Sequence, residues 1–216
     1  MSPKALIMLT NVIRKNAKKT FSFFKEYGVG LKVISGDHPA TVSKVAELAG
    51  IEGAKQCVDA TELRNEEQIA EAAGKYTVFG RVTPEQKKQL VQALQKQGRT
   101  VAMTGDGVND VLALKEADCG IAMASGSEAA TQVAQLVLLD SDFSHMPSVV
   151  MEGRQVVSNI EKTASLYLVK NIFSILLSVF FVLFHVDYPL EPSQISLISM
   201  FTIGIPSFFF ALEKNE

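Results

Sequence analysis

The chain has 216 residues, 47% hydrophobic and 20% charged, which is enough for one or two domains with a buried core. The formal net charge is −2, so no global basic field attracts nucleic acid, and we expect no nucleic-acid partner. Its two cysteines, Cys57 and Cys119, are far apart and fit no CxxC metal spacing. They predict two buried, reduced thiols.

Short apolar runs alternate with amphipathic stretches over the first 140 residues, which predicts strands alternating with helices. In chain order, we predict a helix ending at Phe24, a strand at 31–34, helices at 42–49 and 61–73, a strand at 76–80, a helix from Pro84 to about Gln97, a strand at 100–103, a helix at 111–117, a strand at 119–124, a helix at 128–134 and a strand at 136–139. Strands that are apolar throughout and separated by helices predict an α/β fold, with a parallel sheet covered by helices on both faces.

Gly-Asp pairs follow two of these predicted strands, as Ser35-Gly36-Asp37 and as Thr104-Gly105-Asp106. Parallel sheets place their sites at the carboxyl ends of their strands. Glycine-flanked loops at such an edge direct backbone N–H groups at an anion, and carboxylates there can hold Mg²⁺ together with substrate phosphates. These loops therefore predict a phosphate and Mg²⁺ site.

The second loop continues as TGDGVND, which brings two more polar side chains, those of Asn109 and Asp110, close to Asp106. We predict Asp106 as the Mg²⁺ ligand, with Asn109 and Asp110 one helical turn later. A single Asp of this kind is usually a turn or capping residue, but the complete TGDGVND unit after an apolar strand is not. The hydroxyl of Ser35 either donates to a phosphoryl oxygen or makes a local turn hydrogen bond.

A lysine pair in RVTPEQKKQL, at the start of the predicted helix from Pro84, offers a positive charge for a phosphoryl group. We predict Lys87 for this role, with Lys88 as its competitor. Either lysine could instead be an ordinary solvated surface residue.

Two long apolar runs follow, at 166–184 with a single charged residue and at 195–212 with none. They predict two membrane-spanning helices, with a buried helical hairpin of a soluble protein as the alternative. The linker at 185–194 contains no Lys or Arg, which places residues 1–160 in the cytoplasm and the linker outside. The predicted organisation is a domain at 1–150, a stalk helix at 151–165, and the membrane hairpin.

Together these segments resemble the phosphorylation domain of P-type ATPases, within the haloacid-dehalogenase-like superfamily, from about Asn11 to Leu212. The motifs that carry the resemblance are TGDGVNDVLALKEADCGIAM, VISGD and FGRVTPEQKKQLV. The sequence of these motifs is most similar to the bacterial cation-transporting ATPase E subgroup, which is linked to calcium. The resemblance implies a Rossmann-like sheet, the cofactors ATP and Mg²⁺, a lipid bilayer around the two apolar runs, and a multi-pass protein of the bacterial cell membrane.

The resemblance also implies roles for particular residues. Asp106 would bind Mg²⁺, Asn109 and Asp110 would contact the phosphoryl group and order the metal site, and Lys87 would stabilise the transferred phosphoryl. Phosphate or nucleotide binding would fall to Ser35, Gly36, Asp37, Lys87, Thr104, Gly105 and Asn109. The apolar runs would be membrane helices five and six, whose transport-site candidates are Lys170, Asn171, Ser174, Ser199, Thr202 and Pro206. Lys170 either takes part in transport or extends its amine to the cytoplasmic interface.

The departures from the family pattern are equally specific. No Asp precedes Lys-Thr-Gly anywhere in the chain, so the family's D-K-T-G-T nucleophile is not found here. We expect that Asp, the actuator and nucleotide-binding domains and the first membrane helices to precede Met1 in the intact ATPase, and the chain alone to be inactive. Two alternatives are a membrane-anchored Mg²⁺- or phosphate-binding or regulatory subunit without turnover, and a lipid-translocating P-type ATPase. A soluble phosphatase is disfavoured by the apolar runs.

Overall fold

Residues 13–185, 187 and 190–212 are described by the computed structural model of the protein. The chain divides into two units, Met1–Pro147 and Ser148–Glu216. Asn11, where the family resemblance begins, and part of the predicted external loop at 185–194 lie outside the described residues.

Within residues 13–147, six strands form two three-stranded sheets of order β1-β3-β2 and β4-β5-β6. Every strand pairing is parallel, as the apolar runs predicted. The strands are β1 (Val33–Ile34), β2 (Cys57–Asp59), β3 (Val78–Gly80), β4 (Ala102–Gly105), β5 (Cys119–Met123) and β6 (Leu136–Leu138). The parallel α/β prediction is confirmed, with the strands divided between two sheets instead of one.

Helices alternate with these strands. They are α1 (Ala17–Glu26), α2 (Pro39–Ala49), α3 (Glu66–Lys75), α4 (Pro84–Lys96), α5 (Val111–Glu116) and α6 (Glu128–Val133). Helix α4 begins at Pro84, where Thr83 and Gln86 form a capping box that satisfies backbone donors of the first turn. Short 3₁₀ turns precede α3, α5 and the long helix α7 (Met146–Leu183), at Ala60–Glu62, Val108–Asp110 and Phe143–His145.

The helix predicted at 61–73 and the predicted burial of the two cysteines both differ from the structure. The helix predicted at 61–73 is interrupted, because Asp59 accepts a hydrogen bond from the Thr61 amide and Asn65 caps α3 at Gln68. Cys57 and Cys119 are free thiols but only half-buried, since each is the first residue of its strand.

Helix α4 connects the hydrophobic cores behind the two sheets. Its Leu90 packs with Phe79 of β3, while Val91 packs with Leu114 of α5. All four side chains are almost fully buried. Burial of a side chain of this size contributes about 1.5–3 kcal/mol, so this helix is a main source of the unit's stability.

Beyond the first unit the described residues are mostly helical. Helix α7 (Met146–Leu183) runs without a break through the predicted stalk and the first apolar run. The second apolar run forms α8 (Pro192–Ser199), a π-helical turn (Met200–Gly204) and α9 (Ile205–Leu212). By length and composition, the helical segments Phe143–Leu183 and Pro192–Leu212 are both apolar enough to cross a membrane.

Pro206 accounts for the π-helical turn. Proline has no N–H to donate, and its ring collides with the carbonyl four residues earlier, here that of Thr202. The wider turn immediately before Pro206 relieves that collision. At the ends of the two apolar segments, the Lys162 ammonium lies 5.6 Å from the centre of the Phe210 ring.

Candidate functional site

A buried ion pair stands at the end of β4. Lys87 Nζ in the first turn of α4 lies 2.6 Å from Asp110 Oδ1, and both residues are buried. The other oxygen of Asp110 accepts a hydrogen bond from the Gly107 amide at 3.2 Å. Both carboxylate oxygens are therefore engaged within the protein, so Asp110 fixes the position of the Lys87 ammonium. Lys88, the competing lysine, has no such partner among the described residues.

Gly105 allows this pair to sit directly on the strand end. A Cβ atom at Gly105 would lie 2.5 Å from Cβ and 2.8 Å from Cγ of Asp110. Only glycine leaves that space free for Asp110, which explains why a glycine stands at position 105. Thr104 and Gly105 are themselves paired with Ile121 and Ala122 of β5, so the strand holds their backbone in place.

Asp106 and Asn109 are exposed next to the buried pair. In the described chain, no group hydrogen-bonds to the Asp106 carboxylate, although its backbone carbonyl accepts a hydrogen bond from the Ser127 amide. No cluster of three His, Cys, Asp or Glu side chains suited to a metal occurs within the described ranges. A single carboxylate such as that of Asp106 is sufficient for Mg²⁺, because this ion usually takes one or two carboxylates and completes its shell with water and phosphate oxygens.

The loop after β1 forms a tight turn. The Asp37 amide donates to the Ser35 hydroxyl oxygen at 3.1 Å, which is the local turn hydrogen bond considered as an alternative above. The hydroxyl hydrogen of Ser35 remains available to an incoming oxygen. No atom lies within 4 Å of the position that a Cβ atom of Gly36 would take, so the loop is open at this residue.

The segment after β3 supports that turn. The Arg81 amide donates to the Asp37 carbonyl at 2.8 Å, and the Val82 amide donates to the Ser35 carbonyl at 3.0 Å. Arg81 has a left-handed backbone with φ of 54°, and its guanidinium lies 3.2 Å from Asp59. The Thr61 hydroxyl, the Thr61 amide and Arg81 together lower the pKa of Asp59, so this carboxylate stays ionised.

The structure thus brings Lys87, Asp106, Asn109 and Asp110 into one site, while the residues of 35–37 form a second loop. In the described chain no hydrogen bond joins the two loops. Each follows an edge strand, β1 or β4, of a different sheet. Sequence reasoning missed the loop at 124–127, which contacts Asp106. A usable signal existed, since SGS follows β5 at the carboxyl end of the sheet, where the TGD loop follows β4.

The transport-site candidates are divided between the two apolar runs. The hydroxyls of Ser199 and Thr202 donate to carbonyls of their own helix, those of Ile195 and Ile198. Lys170 is half-buried and Asn171 is exposed on α7. The Ser174 carbonyl accepts a hydrogen bond from the Ser178 hydroxyl, and Pro206 is the second residue of α9, just after the π-helical turn.

Comparisons with known proteins identify the family. A model of the haloacid dehalogenase-like hydrolases matches residues 3–118. The chain is 44% identical to the calcium-transporting ATPase CtpE of Mycobacterium bovis over 100% of its length, and 44% identical to the probable cation-transporting ATPase exp7 of Streptococcus pneumoniae over 98%. It spans 28% of the length of each of these relatives.

Among solved structures, a zinc-transporting PIB-type ATPase in its E2.Pi state has the same fold, with a TM-score of 0.65 and 22% identity. The match covers 93% of this chain and 27% of that one. These comparisons confirm the resemblance to P-type ATPases. The chain belongs to the haloacid dehalogenase-like hydrolase family, with bacterial calcium- and cation-transporting ATPases as its relatives.

Proposed function

We propose that the chain is part of a P-type ATPase that couples ATP hydrolysis, through an aspartyl phosphate, to cation transport across a membrane. The observation that carries this proposal is the exposed Asp106 carboxylate beside the buried Lys87–Asp110 pair at a strand end. The alignment of the chain with named calcium- and cation-transporting ATPases along nearly its full length supports it.

Each site residue has a role that its environment favours. Asp106 would hold Mg²⁺, which would supply positive charge next to the phosphoryl oxygens. Lys87 presents a fixed positive charge to the same group, and Asp110 keeps that charge in place. The exposed amide of Asn109 and the backbone of Thr104 and Gly105 offer polar contacts to phosphate or nucleotide.

The loop after β1 acts on the phosphoryl group from the other sheet. Ser35 donates its free hydroxyl hydrogen, and Gly36 leaves the backbone open to an anion. Asp37 is held through its carbonyl by Arg81, which keeps the loop in one conformation.

In the intact ATPase, the nucleophilic Asp, the actuator and nucleotide-binding domains and the first membrane helices belong to segments of the protein outside this chain. Partial coverage of the relatives supports this arrangement. By itself the chain is then expected to hydrolyse no ATP, because no Asp in it stands before Lys-Thr-Gly.

The apolar helices form the membrane part, in a multi-pass protein of the bacterial cell membrane with residues 1–160 cytoplasmic. The contact of Lys162 with Phe210 supports a hairpin whose two ends meet on the same side. The second helix contains no carboxylate, so a transported cation such as Ca²⁺ is bound there by hydroxyl and carbonyl oxygens near Ser199, Thr202 and Pro206. Lys170, Asn171 and Ser174 are the candidates on the first helix.

Reading the encoding DNA upstream of Met1 tests the proposal first. An in-frame D-K-T-G-T would support the ATPase. A stop codon next to a ribosome-binding site would overturn it and favour the non-catalytic membrane subunit.

The adjacent lysines of α4 supply the biochemical test. In the ATPase that contains D-K-T-G-T and this chain, Asp106→Ala and Lys87→Met should abolish Mg²⁺-dependent ATP hydrolysis. The matched control Lys88→Met should retain it, because the charge of Lys88 is not held at the site by Asp110. Equal activity of the two lysine variants would contradict the assignment of Lys87.

A further inference from the structure

The loop at 124–127 lies against the backbone of Asp106. The Ser127 amide donates to the Asp106 carbonyl oxygen at 2.7 Å. A Cβ atom at Gly126 would lie 2.4 Å from that same oxygen and 2.9 Å from the Cα atom of Asp106. The contact is therefore too close for any residue except glycine, and it bears directly on the residue proposed to bind Mg²⁺.

The loop is itself held in place from two sides. The Ser125 amide donates to the Ser141 hydroxyl at 2.9 Å, and the Ser127 hydroxyl caps α6 by accepting from the Ala130 amide at 3.2 Å. A loop anchored in this way cannot follow a displacement of Asp106 without breaking one of these bonds. It provides a fixed support next to a carboxylate that has no side-chain partner among the described residues.

We propose that Ser127, through its backbone amide, and Gly126, through its lack of a side chain, are positioning residues for the Asp106 carboxylate. The inference rests on the proposed binding of Mg²⁺ by Asp106. Because the side chain of Asp106 is exposed, its direction depends mainly on the backbone that carries it. Fixing that backbone lowers the ordering cost that the metal would otherwise meet.

Two variants at Ser127 isolate the amide. Ser127 has φ of −72°, which is within the range of proline, so Ser127→Pro removes the N–H without demanding a new φ. Ser127→Ala keeps the N–H, and both variants lose the capping hydroxyl. We expect Ser127→Pro to weaken binding of Mn²⁺, used as a spectroscopic substitute for Mg²⁺, roughly 10- to 100-fold. Ser127→Ala, which loses the capping hydroxyl but keeps the amide, should weaken that affinity much less than Ser127→Pro does.

The measurement is a Mn²⁺ titration of the full chain in detergent, followed by electron paramagnetic resonance. Circular dichroism of each variant reports whether it folds. If Ser127→Pro does not fold, Gly126→Ala tests the same contact, with Gly30→Ala as its control because no atom lies near the Cβ position of Gly30. Gly126→Ala should weaken Mn²⁺ binding, and Gly30→Ala should not.

Asp106→Ala distinguishes a failure of the proposed Mg²⁺ site from a failure of the positioning role. If it abolishes Mn²⁺ binding while the folded Ser127→Pro and Gly126→Ala variants bind as their controls do, the positioning role is wrong and the Mg²⁺ site stands. If Asp106→Ala binds Mn²⁺ normally, the proposed metal role of Asp106 fails, and the positioning role fails with it.

Discussion

Lys87 Nζ and Asp110 Oδ1, from residues 23 apart in sequence, lie 2.6 Å from each other, and both side chains are almost fully shielded from water. The ion pair joins α4 to the turn after β4, and so connects the two halves of the first unit. Its consequences for stability differ from those of a surface pair, because each charge has already lost most of its hydration.

Replacing Lys87 by Met should destabilise the first unit by about 3–5 kcal/mol, because it leaves the buried Asp110 carboxylate without its cation. The double variant Lys87→Met/Asp110→Leu should recover most of that loss, since no unpaired charge remains. Thermal unfolding followed by circular dichroism measures both. A single variant as stable as the original protein would show that the pair contributes little.

Gly80 is another position where the fold depends on a missing side chain. A Cβ atom there would lie 2.5 Å from both N and Cα of Pro39, at the start of α2. Gly80→Ala should therefore destabilise the unit by roughly 1–3 kcal/mol through overpacking.

Gly74→Ala is the matched control for Gly80→Ala. It lies within α3, and the nearest atoms to its Cβ position, those of Gln97, are at ordinary contact distance. We expect it to be neutral or to stabilise by about 0.5–1 kcal/mol, as alanine does within helices. Equal effects at both glycines would mean that the contact with Pro39 relaxes easily.

Asp118 should give the unit a pH-dependent stability. Its pKa is lowered, first by the hydrogen bond from the Val101 amide at 2.8 Å and then by one from Gln95. A folded pKa below the unfolded one means that the stabilisation is present above about pH 4 and is lost as the pH falls through the folded pKa. In melting curves between about pH 3 and pH 7, Asp118→Asn should differ from the original protein at neutral pH and converge with it in acid. A constant difference would contradict this.

Pro206 should matter for transport and not for the phosphate site. Pro206→Ala restores an N–H, allows the π-helical turn at Met200–Gly204 to become α-helical, and removes carbonyl groups available to a cation. We expect lower Ca²⁺ uptake into vesicles containing the intact ATPase, with unchanged Mn²⁺ binding at Asp106. Pro192→Ala is the control, because Pro192 opens α8, where no N–H is needed. Equal uptake by both variants would exclude a role for the turn.

Sequence patterns predicted the architecture better than they predicted the boundaries. Pro84 marked the start of α4, and the apolar run at 119–124 matched β5. β2 escaped prediction because its three residues are only half-buried and end in a charged one. β4 begins two residues later than predicted, because its register is set by pairing with β5 and not by the hydrophobicity of its first residues.

For the proposed site, sequence patterns again predicted where the loops lie and not how they contact one another. Glycine next to Asp at strand ends was enough to identify both loops. The choice of Lys87 over Lys88 rested on the resemblance to P-type ATPases, because two adjacent lysines do not themselves show which face of α4 points to Asp110. The contact of 124–127 with Asp106 was also out of reach, since it depends on the packing of one backbone against another.

The arrangement of strands in two sheets has a further consequence for how the first unit opens. In the described chain, β3 and β5 are the strands with a neighbour on each side, while the other four lie at edges. Amide hydrogens of β3 and β5 should therefore exchange with solvent most slowly, as two separate protected centres. Because α4 packs on both cores, the loss of this one helix would expose them together and join two local openings into one cooperative event.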